Sequence, residues 1–147
     1  MKLKFKTEVH SEMYKTFESF DQSLFRQLSF PLTSVRFERF DGMDKGDEYK
    51  FYVSIFGLEQ FWHGLVLRRF TSEKECYFIE IGKKLPFPLT AWTHKHKFIT
   101  AGTNLTTLVD EVEYRCRYKL LEYILLPFWY SYFYFRLWKY RKIFNVQ

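Results

Sequence analysis

Cysteine is scarce in this 147-residue chain, and the separation of Cys76 from Cys116 fits neither a zinc nor a redox spacing, so both read as reduced core residues. Six glycines and four prolines are too few for a collagen-like or low-complexity chain. Long hydrophobic runs are missing too. The most apolar stretch, YILLPFWYSYFYF at 123–135, is bounded by Glu122 and Arg136 and contains Pro127, well short of the roughly 20 residues of a membrane span. The N-terminal MKLKFKTEVH alternates charged and apolar residues where a signal peptide would carry a continuous apolar core, so a cytoplasmic location is expected. Acidic residues nearly vanish from the C-terminal segment. Over 115–147 Glu122 stands alone against Arg115, Arg117, Lys119, Arg136, Lys139, Arg141 and Lys142, which accounts for the whole formal charge of +6.

What the chain has in abundance is rings: 18 Phe, 11 Tyr and 4 Trp in a composition 47% hydrophobic and 27% charged. That suits one globular domain over 1–147 with a real core. Large rigid rings pack against one another with gaps, so an internal cavity is a natural expectation. The basic C-terminal segment has two readings, a patch for nucleic acid or anionic lipid and the ordinary closing of a helix by cations. Nucleic acid is the weaker, because part of the segment must serve the core.

Residues 2–10 alternate strictly, Leu3, Phe5, Thr7 and Val9 against Lys2, Lys4, Lys6, Glu8 and His10, as a half-buried strand does. Ser11 reads as a helix cap, and Met13, Phe17, Phe20, Leu24, Phe25 and Leu28 give two short helices broken around Asp21. From Ser34 onward the period becomes two, with strands expected near 34–40, 48–57, 60–71, 75–83, 92–101 and 103–116, separated by turn residues. After 117 only Pro127 interrupts a long aromatic helix, which it should kink or begin. Strand, two short helices, six strands and one long helix make an α+β protein. One helix cannot cover seven strands by flat packing, so the antiparallel sheet should curl around it.

Two strands then become recognisable. Trp92, His94, His96 and Phe98 form a W-x-H-x-H-x-F strand, Thr106, Leu108, Asp110, Val112 and Tyr114 a T-x-L-x-D-x-V-x-Y strand, and Tyr140-Arg141 closes the last helix. These resemble the START-like, Bet v 1-like superfamily, and within it the bacterial SRPBCC proteins related to polyketide cyclases, sometimes labelled cell-division inhibitors. The resemblance implies a helix-grip fold over almost the whole chain, with a hydrophobic pocket for a small lipid-like or polycyclic molecule; no cofactor is expected. The chain departs from the pattern after Tyr114, where Arg115-Cys116-Arg117-Tyr118-Lys119 replaces the usual proline and glycine turn into the helix.

Period-two spacing puts Trp92, His94, His96 and Phe98 on one face and Leu108, Asp110, Val112 and Tyr114 on its counterpart, both turned inward. Asp110 is then an interior carboxylate with His94 or His96 as partner. The trio admits three uses: two imidazoles and a carboxylate as metal ligands, a His–Asp acid–base group, or a hydrogen-bonded cluster anchoring an apolar ligand. No fourth ligand or nucleophile accompanies it, so the anchoring cluster is preferred and no metal is expected. Along the last helix Leu121, Ile124, Leu125, Phe128, Tyr132, Phe135 and Trp138 form the stripe expected to floor the cavity. Phe87, held between Pro86 and Pro88, reads either as part of a plain connection, the commoner case, or as a stiff flap at the cavity mouth. The same stripe fits a solid aromatic core equally well. His63 faces in or out undecidably by alternation, and His10 falls on the charged face.

Three functions follow as expectations: a carrier of a small hydrophobic molecule; a cyclase, dehydratase or hydrolase using His94, His96 and Asp110; and a protein docking on an anionic membrane or a partner through its basic aromatic helix.

Overall fold

The computed structural model describes residues 1–145. The chain runs β1 (Lys2–Val9), α1 (Met13–Glu18), α2 (Gln22–Gln27), β2 (Thr33–Phe40), β3 (Glu48–Ile55), β4 (Leu58–Thr71), β5 (Glu75–Lys84), β6 (Leu89–Gly102), β7 (Leu105–Cys116) and α3 (Lys119–Phe144). The strands form one antiparallel sheet in the order β1-β7-β6-β5-β4-β3-β2. β1 joins the meander beside β7, and α1 and α2 carry the chain from that edge strand to the other, β2.

Local chemistry explains the helix boundaries. Asp21 caps α2 by accepting from the Leu24 amide at 2.8 Å, which is why the apolar pattern breaks there. Glu12, rather than the expected Ser11, caps α1: its carboxylate accepts from the Tyr14 and Lys15 amides, while the Ser11 carbonyl is taken by the Thr106 hydroxyl. α3 begins at Lys119, so Pro127 lies inside the helix and does not start it. Register shifts at Phe37/Arg39, His63/Gly64 and Val66/Arg68 place irregularities in the β2–β4 half of the sheet, where added twist curls it.

The sheet is covered unevenly. α3 lies against β1 and β7, and α1 against β5, β6 and β7. Beneath them Phe5, Phe17, Phe78, Phe98, Leu108, Val112, Tyr114, Phe133 and Tyr140 pack into a dry core that includes the free thiols of Cys76 and Cys116. The inner faces of β2 and β3 are mostly half-buried. There the curled sheet and α3 enclose space in place of side chains.

α3 is rotated from the orientation its apolar stripe suggests. Its buried residues are Glu122, Trp129, Phe133, Arg136, Leu137 and Tyr140, whereas Ile124, Phe128 and Trp138 are exposed. A helix apolar on all sides gives periodicity no direction to report. Orientation is set by polar pairing instead. Glu122 accepts from the Cys116 amide at 3.2 Å and from Lys119 at 2.7 Å, and lies 3.5 Å from the Met1 amine; Arg136 donates to the Tyr140 hydroxyl at 2.6 Å. Arg136 is therefore an interior cation, and the basic C-terminal patch is one charge smaller than the sequence suggests. Among the described residues no helix is long and apolar enough to cross a membrane.

Candidate functional site

A cavity of about 520 Å³ opens between the curled half of the sheet, the end of α2 and α3. Phe37, Phe51, Val53 and Trp62 rise from β2–β4, Trp92 and His94 come from β6, and Leu125, Phe128, Trp129, Tyr132, Phe133 and Arg136 come from α3. Tyr49 crosses the wall over Gly64, its partner in the β3–β4 register, and only glycine fits there because a Cβ would overlap the tyrosine ring. Trp62 meets Trp92 edge-on at 5.1 Å. That settles the neighbouring ambiguity: Trp62 points in, and His63 instead places Nε2 2.9 Å from Glu48. His10 is exposed. The Pro86–Phe87–Pro88 loop forms part of the rim, with Phe87 largely exposed.

Of the residues singled out from sequence, the structure brings Trp92, His94, Phe87, Leu125, Phe128 and Tyr132 together around this cavity. It places His96, Phe98, Leu108, Asp110, Val112, Tyr114, Leu121 and Phe135 outside the lining. Phe98 meets Phe17 and Phe20 of the α1 region edge-on, and Phe135 packs on Phe30 and Trp138. Tyr114 donates to the Glu122 carbonyl, and burial pushes its hydroxyl up to about 12. Alternation correctly turned β6 and β7 inward, but their inner faces are occupied by α1 and α3. The cavity lies toward β2–β4, whose inward residues were not named.

The polar cluster is larger than the expected trio. His94 and His96 stack with ring centroids 3.7 Å apart, between the carboxylates of Glu80 and Asp110. Glu80 is opposite His94 across β5–β6, and Asp110 opposite His96 across β6–β7. Each carboxylate therefore reaches one ring directly and the other diagonally. Asp110 Oδ1 lies 2.8 Å from His94 Nε2 and 3.1 Å from His96 Nδ1; Glu80 Oε1 lies 3.3 Å from both His94 Nδ1 and His96 Nε2. All four side chains are buried, and Phe78 and Phe133 seal the rings at 4.4 and 5.4 Å. Burial alone would raise both carboxyls, yet hydrogen bonds from the two histidines hold each well below the usual range. Burial would lower His94, but Asp110 and then Glu80 outweigh it and raise it. Glu80 was legible in principle, since it shares its strand face with Cys76 and Phe78.

Only His94 and Glu80 of this cluster border the cavity, so His96 and Asp110 do not form a set with His94 around an occupant. Two of the lining residues on α3 also carry a buried donor without a hydrogen-bond partner, Trp129 Nε1 and Arg136 Nη2. An apolar wall with a few convergent polar groups can hold a greasy molecule and orient its oxygen.

This architecture, a curled antiparallel sheet gripping a long C-terminal helix around an apolar cavity, is the START-like, Bet v 1-like helix-grip fold. A crystal structure of a protein from Chromobacterium violaceum superimposes with a TM-score of 0.74 at 12% identity, covering 99% of this chain and 98% of that one. Major latex-like protein 151 from Panax ginseng matches at 0.72 with 10% identity over 99% and 98%. A START superfamily protein from Mycobacterium smegmatis matches at 0.64 with 10% identity over 97% and 98%. No family model and no curated protein matches the chain.

Proposed function

We propose that the whole chain is one ligand-binding domain that carries a small hydrophobic molecule, lipid-like or polycyclic, with an acceptor oxygen at one end. The observation that supports this most is the cavity of about 520 Å³ itself, apolar over nearly all its wall, two of whose lining residues carry an unpartnered buried donor, Trp129 Nε1 and Arg136 Nη2. A buried donor left unmade costs about 1–3 kcal/mol, which a ligand oxygen recovers. The carrier reading predicts that native mass spectrometry of purified protein releases a small molecule, and that an environment-sensitive apolar dye binds saturably. Val53→Trp, which narrows the cavity with a bulky ring, should weaken dye binding and leave the fold intact. No releasable molecule together with dye binding unaffected by Val53→Trp overturns it.

A second reading, docking of the cavity mouth on an anionic membrane surface, is supported by the rim. Leu32, Phe56 and Phe87 are 83%, 85% and 74% exposed on three separate loops, and Leu32 and Phe56 take positive φ angles of 67° and 50°, where bulky residues are rare. Exposed Arg115, Arg117 and Lys119, where the Arg117 amide meets the Pro88 carbonyl beside the rim, would add electrostatic attraction. Vesicles of anionic lipid should sediment the protein, less so with added salt, and Phe56→Ser with Phe87→Ser should reduce the bound fraction; retention by the double variant refutes the rim as the docking surface.

A further inference from the structure

We propose that Glu80, His94 and His96 form a binding site for a divalent first-row transition metal at the wall of the cavity, with Asp110 holding the two imidazoles from behind. The three ligand atoms are Glu80 Oε1, His94 Nδ1 and His96 Nε2, which lie within 4.8 Å of one another. The carboxylate oxygen is 3.3 Å from each nitrogen. That is close to the edge of a tetrahedron around a cation with bonds of about 2.0–2.1 Å, roughly 3.3 Å.

The opposite nitrogens complete the pattern. His94 Nε2 and His96 Nδ1 both turn to Asp110 Oδ1, at 2.8 and 3.1 Å, so one carboxylate contacts the far side of both rings. A metal-ligating histidine ordinarily gives its second N–H to such a carboxylate, which fixes the tautomer and aims the remaining lone pair at the metal. A neutral ring has a single N–H. With one N–H per ring, His94 Nε2 donates to Asp110 and His96 Nε2 to Glu80, so His94 Nδ1 faces the same Glu80 oxygen as a lone pair; moving the His96 proton to Nδ1, 3.1 Å from Asp110, frees its Nε2 lone pair for a cation. Protonating both rings instead would put two imidazoliums in face contact at 3.7 Å. One divalent ion meets both lone pairs and the carboxylate together. His96 Nδ1 and Asp110 Oδ2 are buried without a hydrogen-bond partner, so Nδ1 is free to take up that proton on the Asp110 side.

Two imidazoles and one carboxylate leave a coordination position free. Because Glu80 and His94 border the cavity while His96 and Asp110 do not, that position opens toward the occupant. A water or a ligand oxygen fills it. The ligand set holds nitrogen and oxygen but no sulfur, which suits Zn²⁺ or Co²⁺. The site goes beyond the carrier reading and is tested without any cavity ligand, so the two stand or fall separately.

The full chain, stripped with EDTA and desalted, should bind one equivalent of Zn²⁺ by calorimetry and one of Co²⁺ with visible ligand-field absorption. Glu80→Gln and His96→Ala should each weaken Zn²⁺ binding at least 100-fold, and Asp110→Asn by about 10- to 100-fold as a supporting carboxylate. His63→Ala, which alters the only other carboxylate–histidine contact among the described residues, should change nothing. If Glu80→Gln does not fold, the Co²⁺ form of the unaltered chain decides: hyperfine-shifted ring N–H signals from two histidines support the site, and their absence overturns it. Failure of the unaltered chain to bind either ion overturns the proposal, as does binding that survives in folded Glu80→Gln or is lost in His63→Ala.

Discussion

Phe133→Ala and Phe128→Ala test which face of α3 carries the structure. Phe133 is fully buried, stacked on Phe5 at 4.8 Å and edge-on to His94 at 5.4 Å, so it ties α3 to both β1 and β6. Truncating a buried Phe costs about 3–5 kcal/mol from lost transfer energy and the void left behind. One side of Phe133 borders the cavity, so part of the new void joins space that already exists, which points to the lower end, about 3 kcal/mol. In a domain of this size about 2–4 °C accompanies each kcal/mol, giving a fall in Tm of about 6–12 °C. Phe128 is 39% exposed at the rim and should cost about 1 kcal/mol or less. Urea unfolding followed by circular dichroism reads both, with an unchanged m-value showing that only stability moved. The stripe expected from sequence contains Phe128 and omits Phe133. Equal losses, or a larger loss for Phe128→Ala, would refute the packing described here.

The Glu122 carboxyl is lowered from 4.5 to about 2, first by Lys119 and against the cost of burial. Its stabilising effect is therefore complete above about pH 4.5 and lost as pH falls toward 2; the stability gap between the unaltered chain and Glu122→Gln should close over that window, and a gap constant from pH 6 to pH 2 contradicts it. Gly64→Ala should destabilise by about 1–3 kcal/mol by displacing the Tyr49 ring, and should lose much of that effect in a Tyr49→Ala background. Additive losses would show that Tyr49 is not the obstacle. Arg136→Met should cost about 3 kcal/mol or more, because it removes a buried cation that helps keep Asp110 ionised and the donor that binds the Tyr140 hydroxyl, whereas the exposed Lys142→Met should be close to neutral in the same denaturation assay.

Strand positions and the inward turn of Trp92, His94, His96, Phe98 and Asp110 were legible because period two leaves no choice once one face must be buried. Residues 2–9 show this most plainly, their alternation reappearing residue by residue as alternating exposure. The two short helices were legible from the break at Asp21, whose side chain does cap the second.

Other features depended on partners far apart in sequence. α3 is aromatic on every side, so its rotation is decided by where Glu122 and Arg136 find partners: the Cys116 amide, the Met1 amine and the Tyr140 hydroxyl. Glu80 joins the histidines only because β5 lies beside β6 in a register that sets it opposite His94. The cavity lies at β2–β4 because α1 and α3 cover the other half of the sheet. By itself the sequence determined which residues of β1, β6 and β7 turn inward, through the local geometry of alternating side chains. Which of those meet a neighbour and which meet open space was decided by tertiary structure, because long-range packing sets the distance between the helix and each strand.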